Sequence, residues 1–163
     1  MKMFWKFIGC SAMVFLIACC NEEGNKPSGA DGWLKGDENE KFETIANQLR
    51  GFDMAMVETG YRYQELYWAG KDENWEYALY QSEKIKVAIE SGLERRPKRA
   101  GSAQNFLDVA LPDIQKAISS KDTLLFSRSF VALTSSCIAC HAQENVPYMW
   151  VKTPEVRQSP IRK

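Results

Sequence analysis

The chain has 163 residues, of which 45% are hydrophobic, enough for one domain of ordinary size with a packed core. Lys plus Arg and Asp plus Glu number 21 each, so there is no whole-chain basic signature and no nucleic-acid partner is expected. The chain carries five cysteines and a single histidine, which makes the position of each informative.

Residues 1–18 read as a lipoprotein signal peptide. Lys2 and Lys6 give a positive start, and an apolar run from Phe7 to Ala18 is too short for a comfortable membrane span. It ends in Leu16-Ile17-Ala18-Cys19, which looks like a bacterial lipobox with Cys19 as the lipidated residue. An ordinary secretion leader and an uncleaved anchor are the other readings. Loss of Lys2 and Lys6 leaves 19 basic against 21 acidic residues, a net charge of about −2. The expected location is the periplasmic side of a bacterial cell envelope, with the membrane reached through the lipid. Cys10 falls in the leader, and Cys20 has no assigned role. Residues 19–36, with Gly, Asn, Ser and Pro27, read as a flexible tether.

From residue 37 the pattern is helical. Phe42, Ile45, Leu49, Phe52, Met56, Thr59, Tyr63 and Leu66 recur in steps of three and four, which predicts one long helix ending near Gly70. Gly51 and Gly60 weaken it by about 1 kcal/mol each relative to Ala, and a Gly on such a face also lets something bulky approach. Gly70-Lys71-Asp72 is a turn. A second helix carries Trp75, Ala78, Leu79, Ser82, Ile85 and Ile89 on one face and fades between Gly92 and Pro97. Arg95-Arg96-Pro97-Lys98-Arg99 is a charged loop, read first as solvated. Its alternatives are an acidic partner, a membrane surface or an anionic ligand. A third helix spans about Ser102 to Ser119, with a kink or break expected at Pro112. After a turn at Ser120-Lys121-Asp122, a fourth helix runs from about Thr123 to Gln143. No alternating strand pattern competes. The expected fold is all-α, an antiparallel up-and-down four-helix bundle over residues 37–145, followed by an extended tail, 146–163, containing Pro147, Pro154 and Pro160.

The fourth helix has the seam Phe126, Phe130, Leu133, Cys137 and His141, so Cys137-Ile138-Ala139-Cys140-His141 lies on its apolar face. This is the C-x-x-C-H pattern of covalent haem attachment. Two thiols add across the haem vinyl groups, and the following imidazole binds the iron. The chain's lone histidine stands where that proximal ligand is required. Cys-x-x-Cys also occurs as a structural disulfide, a thiol redox pair or half a zinc site. Zinc would need two more ligands in a suggestive spacing, and a thioredoxin-type pair would follow a strand; neither is visible. One haem c per chain is expected, with Cys137 and Cys140 as attachment sites and His141 as axial ligand.

This motif on the last of four helices resembles the cytochrome c′ family, the class II c-type cytochromes, over about Asp37 to Gln143. Attachment outside the cytoplasm is implied by the resemblance to c-type cytochromes, and it agrees with the leader. The family has a first-helix segment Arg-x-x-x-Leu/Met, in which the Arg lies near a propionate and the last residue caps or ligates the distal side. Arg50-Gly51-Phe52-Asp53-Met54 fits that spacing. The resemblance therefore implies Arg50 as the propionate residue and Met54 as the distal ligand. Ala142-Gln143-Glu144-Asn145 departs from the basic and Tyr residues the family often places after its haem histidine.

Helix arithmetic points to the same level. With Gly70 set level with Lys121, twenty residues down each helix reach Arg50 and His141, leaving Met54 roughly 6 Å and Met56 roughly 9 Å from that plane. Met54 has the better motif, and Met56 sits better on the seam. Met149, eight residues past His141, can span at most about 28 Å and is the weaker option.

A thioether opposite His141 suits electron transfer with redox partner proteins of a respiratory chain. An open distal side suits a binding module for NO or CO. A haem-free lipoprotein with a Cys137–Cys140 disulfide is the third reading. Catalysis is not expected, for no nucleophile–base pair or phosphate-cradling loop is visible. Tyr61, Tyr63, Tyr67, Trp68, Trp75, Tyr77 and Tyr80 crowd the end away from the motif. They read as core packing or as a homodimer face, and the resemblance implies that dimers are common.

Overall fold

The structure is a computed structural model that describes residues 25–161. The leader, Cys19 and Cys20 lie outside the described residues. The chain divides into two compact units, one ending at Arg50 and the other running from Gly51 onward.

In the first unit, part of the expected tether is a tight turn. Ser28 and Leu34 form a two-bonded bridge (2.9 and 3.0 Å) around a 3₁₀ turn at Ala30–Gly32. Helix α1 (Glu38–Gln48) starts on a capping box. Asp37 accepts from the Glu40 N–H at 2.9 Å, and the Glu40 carboxylate accepts from the Asp37 N–H at 2.8 Å. It buries none of its residues, so Phe42, Ile45 and Leu49 are not core positions.

The expected single helix from 37 to 70 is therefore corrected to two. Leu49 caps α1, Arg50 turns left-handed with φ 60°, and Gly51 is extended at the N-cap of α2 (Phe52–Lys71). Gly51 has low helix propensity and no side chain, so the chain leaves the helical conformation there at little cost.

In the second unit, α2 turns through Asp72 and Glu73 into α3 (Trp75–Arg95), whose N-cap Asn74 accepts from the Tyr77 N–H. After a 3₁₀ turn at Pro97–Arg99, the third rod is α4 (Ala100–Asn105), a π-helical turn at Phe106–Ala110, and α5 (Leu111–Ser120). The break expected at Pro112 takes this form. Its ring cannot donate to the Asp108 carbonyl and crowds it; the wider π turn absorbs both, and Pro112 becomes the second residue of α5. Lys121 is left-handed at φ 56°, and Asp122 caps α6 (Thr123–Gln143) by accepting from Leu124 and Leu125 at 2.8 and 2.9 Å.

Among the described residues there is no strand beyond the bridge, and the second unit is a bundle of four helical rods. Helix α2 packs on α3 and α6, α5 packs on α3 and α6, and α4 packs on α6. Leu66, Ile85, Ile114, Phe126, Phe130 and Leu133 are fully buried at the centre. Burial of each such side chain stabilises by about 1.5–3 kcal/mol. By length and composition α6 would pass for a membrane span, but its Phe126, Phe130 and Leu133 are core residues of this bundle. Gly70 is required where it is. A Cβ there would stand 2.1 Å from the Phe126 ring, so only glycine lets α2 approach α6 this closely.

Beyond a short turn the tail has no regular structure, and it is fastened. Asn145 turns left-handed at φ 62°, and the chain then runs back along α2. There Arg157 makes a bidentate pair with Asp72 at 2.6 and 2.7 Å and lies 4.7 Å over the Trp68 ring.

Candidate functional site

Helical spacing puts Cys137, Cys140 and His141 on one face of α6. That face lines a partly open cavity of about 130 Å³. Cofactor and ligand pockets run on the order of 300–1,000 Å³, so a bulky group held here extends out through the open side. From α2 the wall takes Phe52, Met56, Thr59, Gly60 and Tyr63, again in steps of three and four. Ile89, Ala103, Phe106 and Val151 complete it, and the lining is almost wholly apolar.

The polar groups in this wall divide sharply. The Tyr63 hydroxyl is 2.7 Å from Thr134 Oγ1 and donates to the Lys152 carbonyl at 3.2 Å. Burial pushes Tyr63 up to about 12, against the opposing Thr134 hydrogen bond. The Thr59 hydroxyl, by contrast, is buried and has no hydrogen-bond partner. Gly60 beside it is open: a Cβ there would meet nothing within 4 Å.

His141 Nδ1 lies 2.6 Å from the Met149 carbonyl oxygen. A carbonyl only accepts, so Nδ1 carries the proton, and Nε2 is left as the basic, ligating nitrogen. Cys137 and Cys140 are both free thiols. Burial, with Cys140 as a smaller cause, pushes Cys137 up to about 12; burial also raises Cys140, opposed by a hydrogen bond with Ser102. Two thiols held protonated make a poor dithiol exchange pair, because the thiolate is the nucleophile. Among the described residues no three His, Cys, Asp or Glu side chains gather as a metal site, so the further ligands of a structural zinc are not assembled around this pair. Beside Phe52, Arg99 pairs with Glu144, Ser102 donates to Glu144, and the Arg99 guanidinium sits 5.7 Å over the Phe52 ring.

The structure brings together Cys137, Cys140, His141 and Met56. Met54 is not in this wall and is 40% exposed, whereas Met56 lines it. Its rank came from the Arg50-x-x-x-Met54 spacing and from its level along the helix, not from the seam. With α2 starting at Phe52, the inward face runs Phe52, Met56, Thr59, Tyr63, and Met54 lies about 200° from Met56 around the axis. Arg50 ends the first unit in a left-handed conformation and is exposed. Met149 offers its backbone carbonyl, while its side chain is 52% exposed. Thr59 and Tyr63 were visible as seam residues, but nothing marked one hydroxyl as unpaired. The contributions of Val151 and the Met149 carbonyl had no sequence signal.

Compared with known proteins, the chain matches no family model, and no curated protein or solved structure aligns with it.

Proposed function

We propose that this chain is a monohaem c-type cytochrome that carries electrons, with haem c joined to Cys137 and Cys140, His141 as proximal ligand and Met56 on the opposite side. The same reading takes the four rods as an antiparallel up-and-down bundle of the cytochrome c′ kind. It places the protein on the periplasmic side of a bacterial envelope, held by a lipid on Cys19 and serving respiratory redox partners.

One observation carries the reading. Two thiols, an imidazole with Nε2 free and a thioether line a single apolar cavity. The residues fit the group on two further counts. Gly60 leaves the wall flat where a bulky plate would lie, and the mouth is open. When bound, haem would supply a one-electron couple between ferrous and ferric iron. The protein's own part is to hold His141 by Nδ1, to offer the Met56 sulfur, and to exclude water with Phe52, Ile89 and Phe106. A dry apolar wall disfavours the extra charge of ferric iron and so raises the potential. Cys137 and Cys140 are half-buried, and Cys137 packs against the core, so thioether bonds there would tie the group to the bundle through α6.

The Thr59 hydroxyl favours a second reading. An unpaired donor inside an apolar wall suits a small ligand such as NO or CO in the sixth position. Mass spectrometry of the exported protein and its visible spectrum separate these. Covalent haem mass with a low-spin spectrum and a ferric thioether charge-transfer band, lost in Met56→Ala, is the expected result. A high-spin spectrum that shifts at once with CO selects the second reading, and a colourless product of unmodified mass overturns both.

A further inference from the structure

We infer that the C-terminal tail is the positioning element of His141, and that the Arg157–Asp72 clamp at its far end holds the imidazole in its Nε2-ligating form. In its effect on iron this rests on the haem reading. In its effect on the imidazole it stands alone.

The tail leaves α6 through the left-handed Asn145, and the Val146 N–H returns to the His141 carbonyl at 2.9 Å. The next turn is closed by the Met149 N–H on the Val146 carbonyl at 2.9 Å, and it presents the Met149 carbonyl to His141 Nδ1 at 2.6 Å. The side chains of this turn do not pin it, for Tyr148, Met149 and Trp150 are 76%, 52% and 65% exposed. Its place is set by its two ends. One end is α6 itself. The other is the stretch from Val151 onward, which meets the cavity wall at Val151 and takes the Tyr63 hydroxyl on the Lys152 carbonyl at 3.2 Å.

That stretch is secured at Arg157. Both guanidinium nitrogens reach the Asp72 carboxylate, one also reaches the Trp68 carbonyl at 3.5 Å, and the ion pair is mostly buried at 16% and 27% side-chain exposure. Asp72 is the C-cap of α2, so the Arg157 cation also sits at the negative end of that helix. A bidentate, charge-assisted pair with a cation–π contact is the strongest fastening on the tail. Without it the strap shifts, the Met149 carbonyl leaves Nδ1, and the ring is free to change tautomer or turn. Arg157 and Asp72 touch neither the imidazole nor the cavity; they act through the tail.

The lone histidine makes the test direct. Full-length protein labelled with ¹⁵N at histidine only gives two ring-nitrogen signals, both from His141. In the reduced protein, the expected result is a proton on Nδ1 that exchanges slowly with water. Arg157→Ala should speed that exchange at least tenfold, Asp72→Asn should do the same, and Arg157→Lys should restore part of it. Where haem is attached, loss of the Nδ1 hydrogen bond weakens the ligand's basicity. The ferrous form then gains about tenfold over the ferric, about 59 mV for a one-electron couple. Circular dichroism identifies any variant that fails to fold, and Asp72→Asn is the milder of the two. Unchanged exchange in folded Arg157→Ala and Asp72→Asn overturns the proposal. A wild-type chain without covalent haem mass overturns the haem reading, while the exchange rates from the same sample still decide the tail's role.

Discussion

Gly60→Ala should change stability in opposite directions with and without haem. Gly60 is inside α2, lines the cavity, and has nothing within 4 Å of the position a Cβ would take. In the haem-free chain the substitution therefore meets no steric cost. It gains the helix propensity of Ala over Gly, about 0.5–1 kcal/mol, together with a smaller entropy loss on folding. For a domain of this size that is an increase of about 2–5 °C in Tm. If a porphyrin face lies on this wall, the same methyl presses into it. Overpacking of a filled site costs about 1–3 kcal/mol, enough to cancel or reverse the gain. Denaturant and thermal unfolding of both forms, followed by helix signal, give the two differences side by side. Equal stabilisation of the two forms would show that nothing packs on Gly60 and would remove this wall from the binding site.

Three further outcomes follow from neighbouring contacts. Gly70→Ala places a Cβ 2.1 Å from the Phe126 ring and should destabilise by about 1–3 kcal/mol in chemical denaturation despite the better propensity of Ala. Thr59→Val removes a buried hydroxyl that has no partner and should stabilise the haem-free chain by about 1–2 kcal/mol, whereas loss of stability would mean the hydroxyl is paired. The haem-free chain should also lose stability in alkali. Cys137 ordinarily titrates near 9 and is held protonated to about 12 by burial, so its contribution is intact below pH 9 and is lost as pH rises through 12. Thioethers do not titrate, so the loaded protein should show only the decline due to Tyr63 and Tyr77, and denaturation midpoints between pH 7 and 11 in both forms measure the difference.

Periodicity carried most of the helices. The run of apolar residues at steps of three and four located α2, α3 and α6, and α6 spans the residues its seam implied. The same device failed at Arg50-Gly51 because Leu49 and Phe52 both obey the spacing. A seam counts apolar positions and is blind to a left-handed residue between them. The Arg50-x-x-x-Met54 spacing was equally blind to it: that spacing named Met54 and Arg50, whereas the described wall begins at Phe52 and takes Met56. The motif residues were immune, because Cys137, Cys140 and His141 are fixed to one another by a single helix and need no register from elsewhere.

The tail marks a different boundary. What His141 needs at Nδ1 is an acceptor, and the chain supplies a main-chain carbonyl, which residue 149 would offer whatever its side chain. Such a contact leaves no trace in residue type. Its only legible sign is indirect: a cation, Arg157, and an anion, Asp72, far apart in the chain, whose pairing decides where the carbonyl stands. Side-chain chemistry can therefore be read from residues that act directly on a ligand. A residue that acts by holding backbone in place becomes visible only once the path of that backbone is known.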